Sequence, residues 1–101
     1  MSDSFLQFLG LVKRSGNLLE GYNRCEEAIQ KNKKIYLIIL SMDLSPKSRK
    51  EFLKYCHEKG IKCIECYSKE ELGSSVGRQE VNILAVLNKN MSDKLMDSYK
   101  V

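Results

Sequence analysis

The chain has 101 residues, 43% of them hydrophobic and 30% charged, which suits one small folded domain and excludes a disordered chain. Its formal charge of +4 leans mildly towards a polyanionic partner. No apolar run approaches the ~18 residues of a membrane span, the longest being IYLIIL at strand length. The opening MSDSFLQFLG carries neither a basic leader nor a signal-like apolar core, so a cytoplasmic location with four reduced cysteines is expected.

From the N-terminus, Phe5, Leu6, Leu9 and Val12 recur at helical spacing with Phe8 on the same side. They define an amphipathic helix that Asp3 or Ser4 can cap. It ends in KRSGN, where cations suit the helix dipole and Gly16 can take the left-handed cap position. NLLEG is a short extended piece. A second helix is expected over residues 22–31, with Cys25, Ala28 and Ile29 at i, i+3, i+4. KIYLIILSMD is the strongest strand, β-branched and without polar alternation, as expected of a strand buried on both faces.

LSPKSRKEFLKYCHEKG reads as a helix with Ser45 at the N-cap, Pro46 at the first position and Gly60 at its end. Phe52, Leu53 and Cys56 make its apolar face. IKCIEC is a third strand, and Ser68 with Glu71 forms a capping box that starts a short helix. EVNILAVLN is a fourth strand, and a last helix is expected over residues 92–99. The alternation predicts an α/β fold in one domain over residues 1–101: a three-layer α/β/α sandwich with helices on both faces of a four-stranded mixed sheet.

The residues that could carry chemistry do not converge. Cys63 and Cys66 form C-x-x-C downstream of Cys56 and His57, but the pair lies inside a strand. Residues three apart there point to opposite faces, whereas zinc needs sulfurs that meet on a tight turn and a redox pair needs a helix N-terminus. LGSSVGRQ has glycines four apart but lacks the G-K-[ST] ending of a nucleotide loop, and it lies between helix and strand in the wrong order for a dinucleotide site. The acids are scattered and no nucleophile–base pair is found, so neither an enzyme nor a cofactor is expected. Basic residues gather at Lys13-Arg14, at Lys31-Lys33-Lys34 and at Lys47-Arg49-Lys50-Lys54.

FLGLVKRSGNLLEGYNRCEEAIQKNKKIYLIILSMDLSPKSRKEF, followed by GIKCIECYSKEELGSSVGRQEVNILAVLN, resembles the L-seven-Ae/L-thirty-e family of ribosomal and kink-turn RNA-binding proteins, in particular its small bacterial members. The likeness spans Phe5 to Asn88. It rests on L-G-L-x-x-[RK]-[SA]-G, the glycine-led helix, an acidic Ser-Pro turn after the central strand, and E-L-G-x-x-[VI]-G-[RK]. It implies an α/β/α sandwich that holds a sharply bent RNA on the start of the second helix and the loop before the last strand.

Transferred to this sequence, Gly21 and Asn23 match the G-x-N-E-x-x-K pattern, while Arg24 stands at its Glu position and Glu27 at its Lys position. Gly73, Ser74, Val76, Gly77 and Arg78 would form the second wall, and from the basic clusters Lys13, Arg14 and Lys47 are further candidates for phosphate contacts. Asparagine offers donor and acceptor to base edges, arginine can pair with phosphate or stack on a splayed base, and Glu27 puts repulsion where the pattern has attraction. The expected partner is structured RNA, ribosomal or otherwise non-coding, and the ribosome itself, with no DNA, membrane or metal involved. The alternatives are a protein-interaction domain that has lost kink-turn binding, favoured by Glu27 and an exposed Tyr22, and a metal or catalytic site on Cys56, His57, Cys63 and Cys66.

Overall fold

The computed structural model describes residues 3–99. Within them the chain runs α1 (Ser4–Arg14), β1 (Leu18–Glu20), α2 (Tyr22–Gln30), β2 (Leu37–Leu40), α3 (Pro46–Lys59), β3 (Cys63–Glu65), α4 (Lys69–Ser75), β4 (Ile83–Val86) and α5 (Lys89–Tyr99). The sheet order is β1-β4-β2-β3. β2 and β3 are parallel, while β4 is antiparallel to both β1 and β2, so the sheet is mixed.

Every residue of β2 and β4 is buried. Because side chains alternate along a strand, the apolar runs serve two cores. Leu37, Ile39, Leu84 and Val86 pack with Phe5, Leu9 and Val12 of α1, Leu72 of α4 and Leu95 of α5. Ile38, Leu40, Ile83 and Ala85 pack with Cys25, Ala28 and Ile29 of α2 and Phe52 and Cys56 of α3. These are the three layers. Each buried Leu, Ile or Phe contributes about 1.5–3 kcal/mol.

The caps hold the expected positions. The Asp3 carboxylate accepts from the Phe5 and Leu6 N–H groups, Ser45 accepts from Ser48, Gly60 ends α3 in the left-handed region, and Ser68 and Glu71 cap reciprocally. The strands are shorter than expected, β3 and β4 included, and other details differ. KIYLIILSMD pairs as a strand only over Leu37–Leu40. Beyond it, Ser41 and Met42 still donate to the Asn82 and Tyr67 carbonyls, but the chain is already turning towards α3. α5 begins at Lys89 rather than residue 92, because the Asn88 side chain accepts from the Met91 N–H and starts the helix early. Leu53 is 38% exposed, which leaves Phe52 and Cys56 as the buried face of α3.

Asp3 also accepts a hydrogen bond from the Tyr67 hydroxyl, tying the start of α1 to the β3–α4 connection. That bond first, then the two helix N–H groups, holds its carboxyl below the ordinary value of 3.8. A depressed folded-state pKa means that Asp3 contributes stability above the unfolded value and loses it as pH falls through the folded one. Asp3→Ala should therefore lower the unfolding free energy by about 1 kcal/mol at pH 7. The gap to wild type should narrow as pH falls below the ordinary 3.8 and through the lower folded-state value in urea titrations; an undiminished gap there would show that the carboxylate charge does not matter.

Candidate nucleic-acid interface

Register places the candidate residues. Leu40 lies opposite both Ile83 and Glu65, and Glu20 lies opposite Leu84. The C-terminal ends of β1, β2 and β3 thus meet the N-terminal end of β4 at one end of the sheet. The start of α2, the 41–45 turn and the 76–82 loop come together there around a groove of about 450 Å³, with Gly21, Tyr22, Asp43, Ser45, Arg78 and Asn82 among its walls.

Gly21 makes the corner. Its φ of 97° and ψ of 161° fall in a region open essentially to glycine alone. The Gly21 N–H donates to the Ile83 carbonyl at 2.8 Å, and its own carbonyl accepts from the Cys25 N–H at 3.1 Å, so one residue closes the sheet edge and opens the helix. No side chain caps α2, which leaves its first N–H groups and the positive end of its dipole at the groove. Asn23 and Arg24 are exposed on that first turn.

Tyr22 is half-buried. It packs edge-on against Phe52 at 5.1 Å, and its hydroxyl donates to Glu51 at 2.7 Å. Tyr55 of α3 donates in turn to Glu26 of α2 at 2.7 Å. Each of these bonds raises the phenol it belongs to above its ordinary value of 10.0. The crossed pair fixes the start of α2 against α3, and Tyr22 is engaged there rather than displayed as a free aromatic.

The opposing wall depends on Gly73. A Cβ there would lie 2.5 Å from the Glu80 Cα and 2.7 Å from its N, so only glycine admits the returning loop. The Gly73 carbonyl accepts from the Val76 N–H at 3.0 Å and the Arg78 N–H at 2.8 Å, folding the loop back over α4. Val76 is buried in the core, and Ser74, Gly77 and Arg78 are exposed, but of these only Arg78 lines this groove; Ser74 lines the separate groove between α1 and α4.

One residue that sequence reasoning passed over joins the two walls. Glu20, the last residue of β1, is only 8% exposed; its two carboxylate oxygens pair with Lys13 of α1 and with Arg78 at 3.4 Å. A carboxylate closing a short extended piece has no signature in the sequence. Beside it, the Ser41 hydroxyl donates to the Asn82 side-chain oxygen and the Lys69 N–H donates to Asp43, which fixes the groove floor and the 41–45 turn.

The other expected contacts are less convergent. Arg14 lines a separate groove between α1 and α4, and Lys47 is exposed on the first turn of α3. Glu27 lies one turn along α2 from Asn23, with its carboxylate 3.6 Å from Lys31; both side chains are about two-thirds exposed, so the pair is weak. Lys31, Lys33 and Lys34 follow α2 and precede β2, at the opposite end of the sheet.

A family model matches residues 3–96: the ribosomal protein L7Ae/L30e/S12e/Gadd45 family. The chain belongs to this family. A Bacillus halodurans C protein with unknown function is 27% identical to it, with a TM-score of 0.93 over 99% of this chain and 100% of that one. The Giardia lamblia 15.5kD RNA binding protein has the same fold, with a TM-score of 0.78 at 16% identity over 91% of this chain and 81% of that one. No curated protein sequence matches the chain.

In this L7Ae-family chain the cysteines are part of the packing. Cys56 and Cys63 belong to the α2/α3 core and Cys66 to the other core, while His57 is exposed. No group of three metal-ligating side chains is present among the described residues. Burial pushes the Cys25 and Cys66 thiols up to about 12, which leaves them protonated and unreactive.

The two loop glycines should respond differently to a methyl group. Gly73→Ala meets backbone and should cost at least about 1–3 kcal/mol. Gly77→Ala meets nothing within 4 Å, and at φ +77° should cost only the left-handed strain of about 1–2 kcal/mol. Urea unfolding of both variants measures this; a smaller loss for Gly73→Ala would mean that the 79–80 backbone moves aside without resistance.

Proposed function

We propose that this protein binds structured RNA of the kink-turn type, as a non-enzymatic cytoplasmic module associated with the ribosome or another non-coding ribonucleoprotein. The observation that carries the reading is the uncapped start of α2, at Gly21 and Tyr22, sharing a polar groove with Arg78 and Asn82 of the loop before β4. Membership of a family of ribosomal proteins and the RNA-binding relative of the same fold support it.

The mechanism follows from the groups present. Helix N–H groups and the α2 dipole meet a phosphate at the bend, and Asn23 offers donor and acceptor to a base edge. Arg24 pairs with phosphate or stacks on an exposed base. The groove between Gly21 and Asn82 takes a nucleotide turned out of the stack, with side-chain donors and acceptors on its walls. Glu20 holds Arg78 and Lys13 at the rim, so their cations are placed before the RNA arrives.

Asn23→Ala with Arg78→Ala should weaken binding to a kink-turn RNA by at least about 30-fold, since contacts of this kind contribute about 1–3 kcal/mol each. Glu27→Lys, on the exposed face of α2, should strengthen binding and steepen the dependence of log K on log salt by about one. Calorimetric titration at several salt concentrations reads both. Wild-type protein that shows no salt-dependent binding to any kinked RNA would sink the reading and favour the protein-interaction alternative.

A further inference from the structure

We propose that the end of the sheet opposite the groove is a second RNA surface, one that takes the phosphates of a double-stranded segment through Lys33, Lys34 and Lys62. This rests on the RNA-binding reading above and extends it to the far end of the strands.

Four connections meet at that end, α1 to β1, α2 to β2, α3 to β3 and β4 to α5, and the lysines lie on and beside the last three. These three are bonded to one another. The Tyr36 N–H donates to the Val86 carbonyl, the Ile38 N–H to the Lys62 carbonyl, and the Lys59 ammonium to the Asn32 side chain. A groove of about 220 Å³ borders Lys33, Lys34 and Lys59. Another of about 270 Å³ borders Lys62 and Lys89, and the two share Ile35, Tyr36 and Ile61. The lysines therefore lie on one continuous surface.

Charge singles this surface out. Six lysines (31, 33, 34, 59, 62 and 89) stand against three acids, Glu27, Glu58 and Asp93, an excess of three; the whole chain has a net charge of +4. Lys31 and Lys89 have i,i+4 partners in Glu27 and Asp93, but all four side chains are more than half exposed and the pairs are weak. Lys33, Lys34 and Lys62 have no ion pair among the described residues. At the groove end, by contrast, Lys13 and Arg78 both face Glu20.

The chemistry suits a backbone rather than a base. Lysine is a mobile point charge on a long stem and reads phosphate without geometric discrimination. The grooves here are smaller than the one at the other end, about 220 and 270 Å³ against about 450 Å³, and the Asn32 side-chain oxygen on the α2–β2 connection accepts from Lys59. A surface of this kind gives affinity that is independent of sequence and steep in salt.

The test uses the full chain, a short kink-turn RNA and a plain RNA duplex of about two helical turns, each titrated at several salt concentrations. Lys33→Gln/Lys34→Gln/Lys62→Gln should weaken duplex binding about tenfold or more. It should also flatten the salt slope by about 2–3, because each neutralised phosphate accounts for roughly 0.9 of that slope. It should leave the short kink-turn RNA bound as before. Because all three positions are exposed, circular dichroism should match wild type. A triple variant that binds duplex as wild type does would overturn the inference. So would a wild type that binds the kinked RNA and ignores the duplex, and the RNA reading would then stand without it. Duplex binding lost in the triple variant, with no kinked-RNA binding by wild type, would support the second surface and overturn the kink-turn reading. Failure to bind either RNA would overturn both.

Discussion

The antiparallel pairing of β2 with β4 decides where everything else in the molecule lies. Leu37 opposite Val86 and Leu40 opposite Ile83 make a central ladder that is buried on both faces. Its side chains sort strictly into the α1/α4/α5 core and the α2/α3 core. A slip of one residue would send each set to the wrong core, so the register is held by the packing of both layers at once. The same pairing brings the end of β2 beside the start of β4. The 41–45 turn and the 76–82 loop therefore meet Gly21 without any contact being arranged for that purpose.

Once the ends coincide, rigidity comes from polar groups rather than from the core. Glu20 is a nearly buried acid whose desolvation is tolerable only because two cations share it. Those cations come from α1 and from the loop before β4, so one carboxylate fastens three segments. Across the groove, the Tyr22–Glu51 and Tyr55–Glu26 bonds do the same for α2 and α3. Arg24 and Glu27 are both outside this framework and exposed. The framework that opens α2 at the groove is thus independent of which charges its first turn displays.

Much of this was legible because it is written in local chemistry. The caps at Asp3, Ser45 and Ser68 and the unbroken apolarity of LIIL and ILAV each depend on neighbours in the sequence. The strand geometry of C-x-x-C likewise sent Cys63 and Cys66 to opposite cores. What escaped was set by distant partners. KIYLIILSMD has strand composition over ten residues, but only four pair as strand, three of them on both sides, before the chain turns. Leu53 looks like part of an apolar face, yet the helix above the sheet has room for only Phe52 and Cys56 beneath it. Glu20 looks like one acid among thirteen, and its burial depends on Lys13 and Arg78, seven and fifty-eight residues away. The three basic clusters could not be assigned to one face without the topology, which separates Lys31, Lys33 and Lys34 from the others.

That separation divides two physical tasks between the two ends of the sheet. At the groove end several cations are matched, Lys13 and Arg78 by Glu20, Arg49 by Glu65 and Lys69 by Glu80, while Arg24 and Lys47 have no ion pair among the described residues. A phosphate that turns to Lys13 or Arg78 must share or displace Glu20, so it gains less from them than from Arg24. Only a ligand that also satisfies the α2 N–H groups, Asn23 and the groove gains enough to stay, which is how discrimination arises from modest contacts. At the lysine end there is little to displace, and the field of an unmatched excess charge extends roughly a Debye length, about 8–10 Å, into solvent at physiological salt. On the proposed reading, encounter with a polyanion is governed by the end that cannot recognise it, and retention by the end that attracts it less.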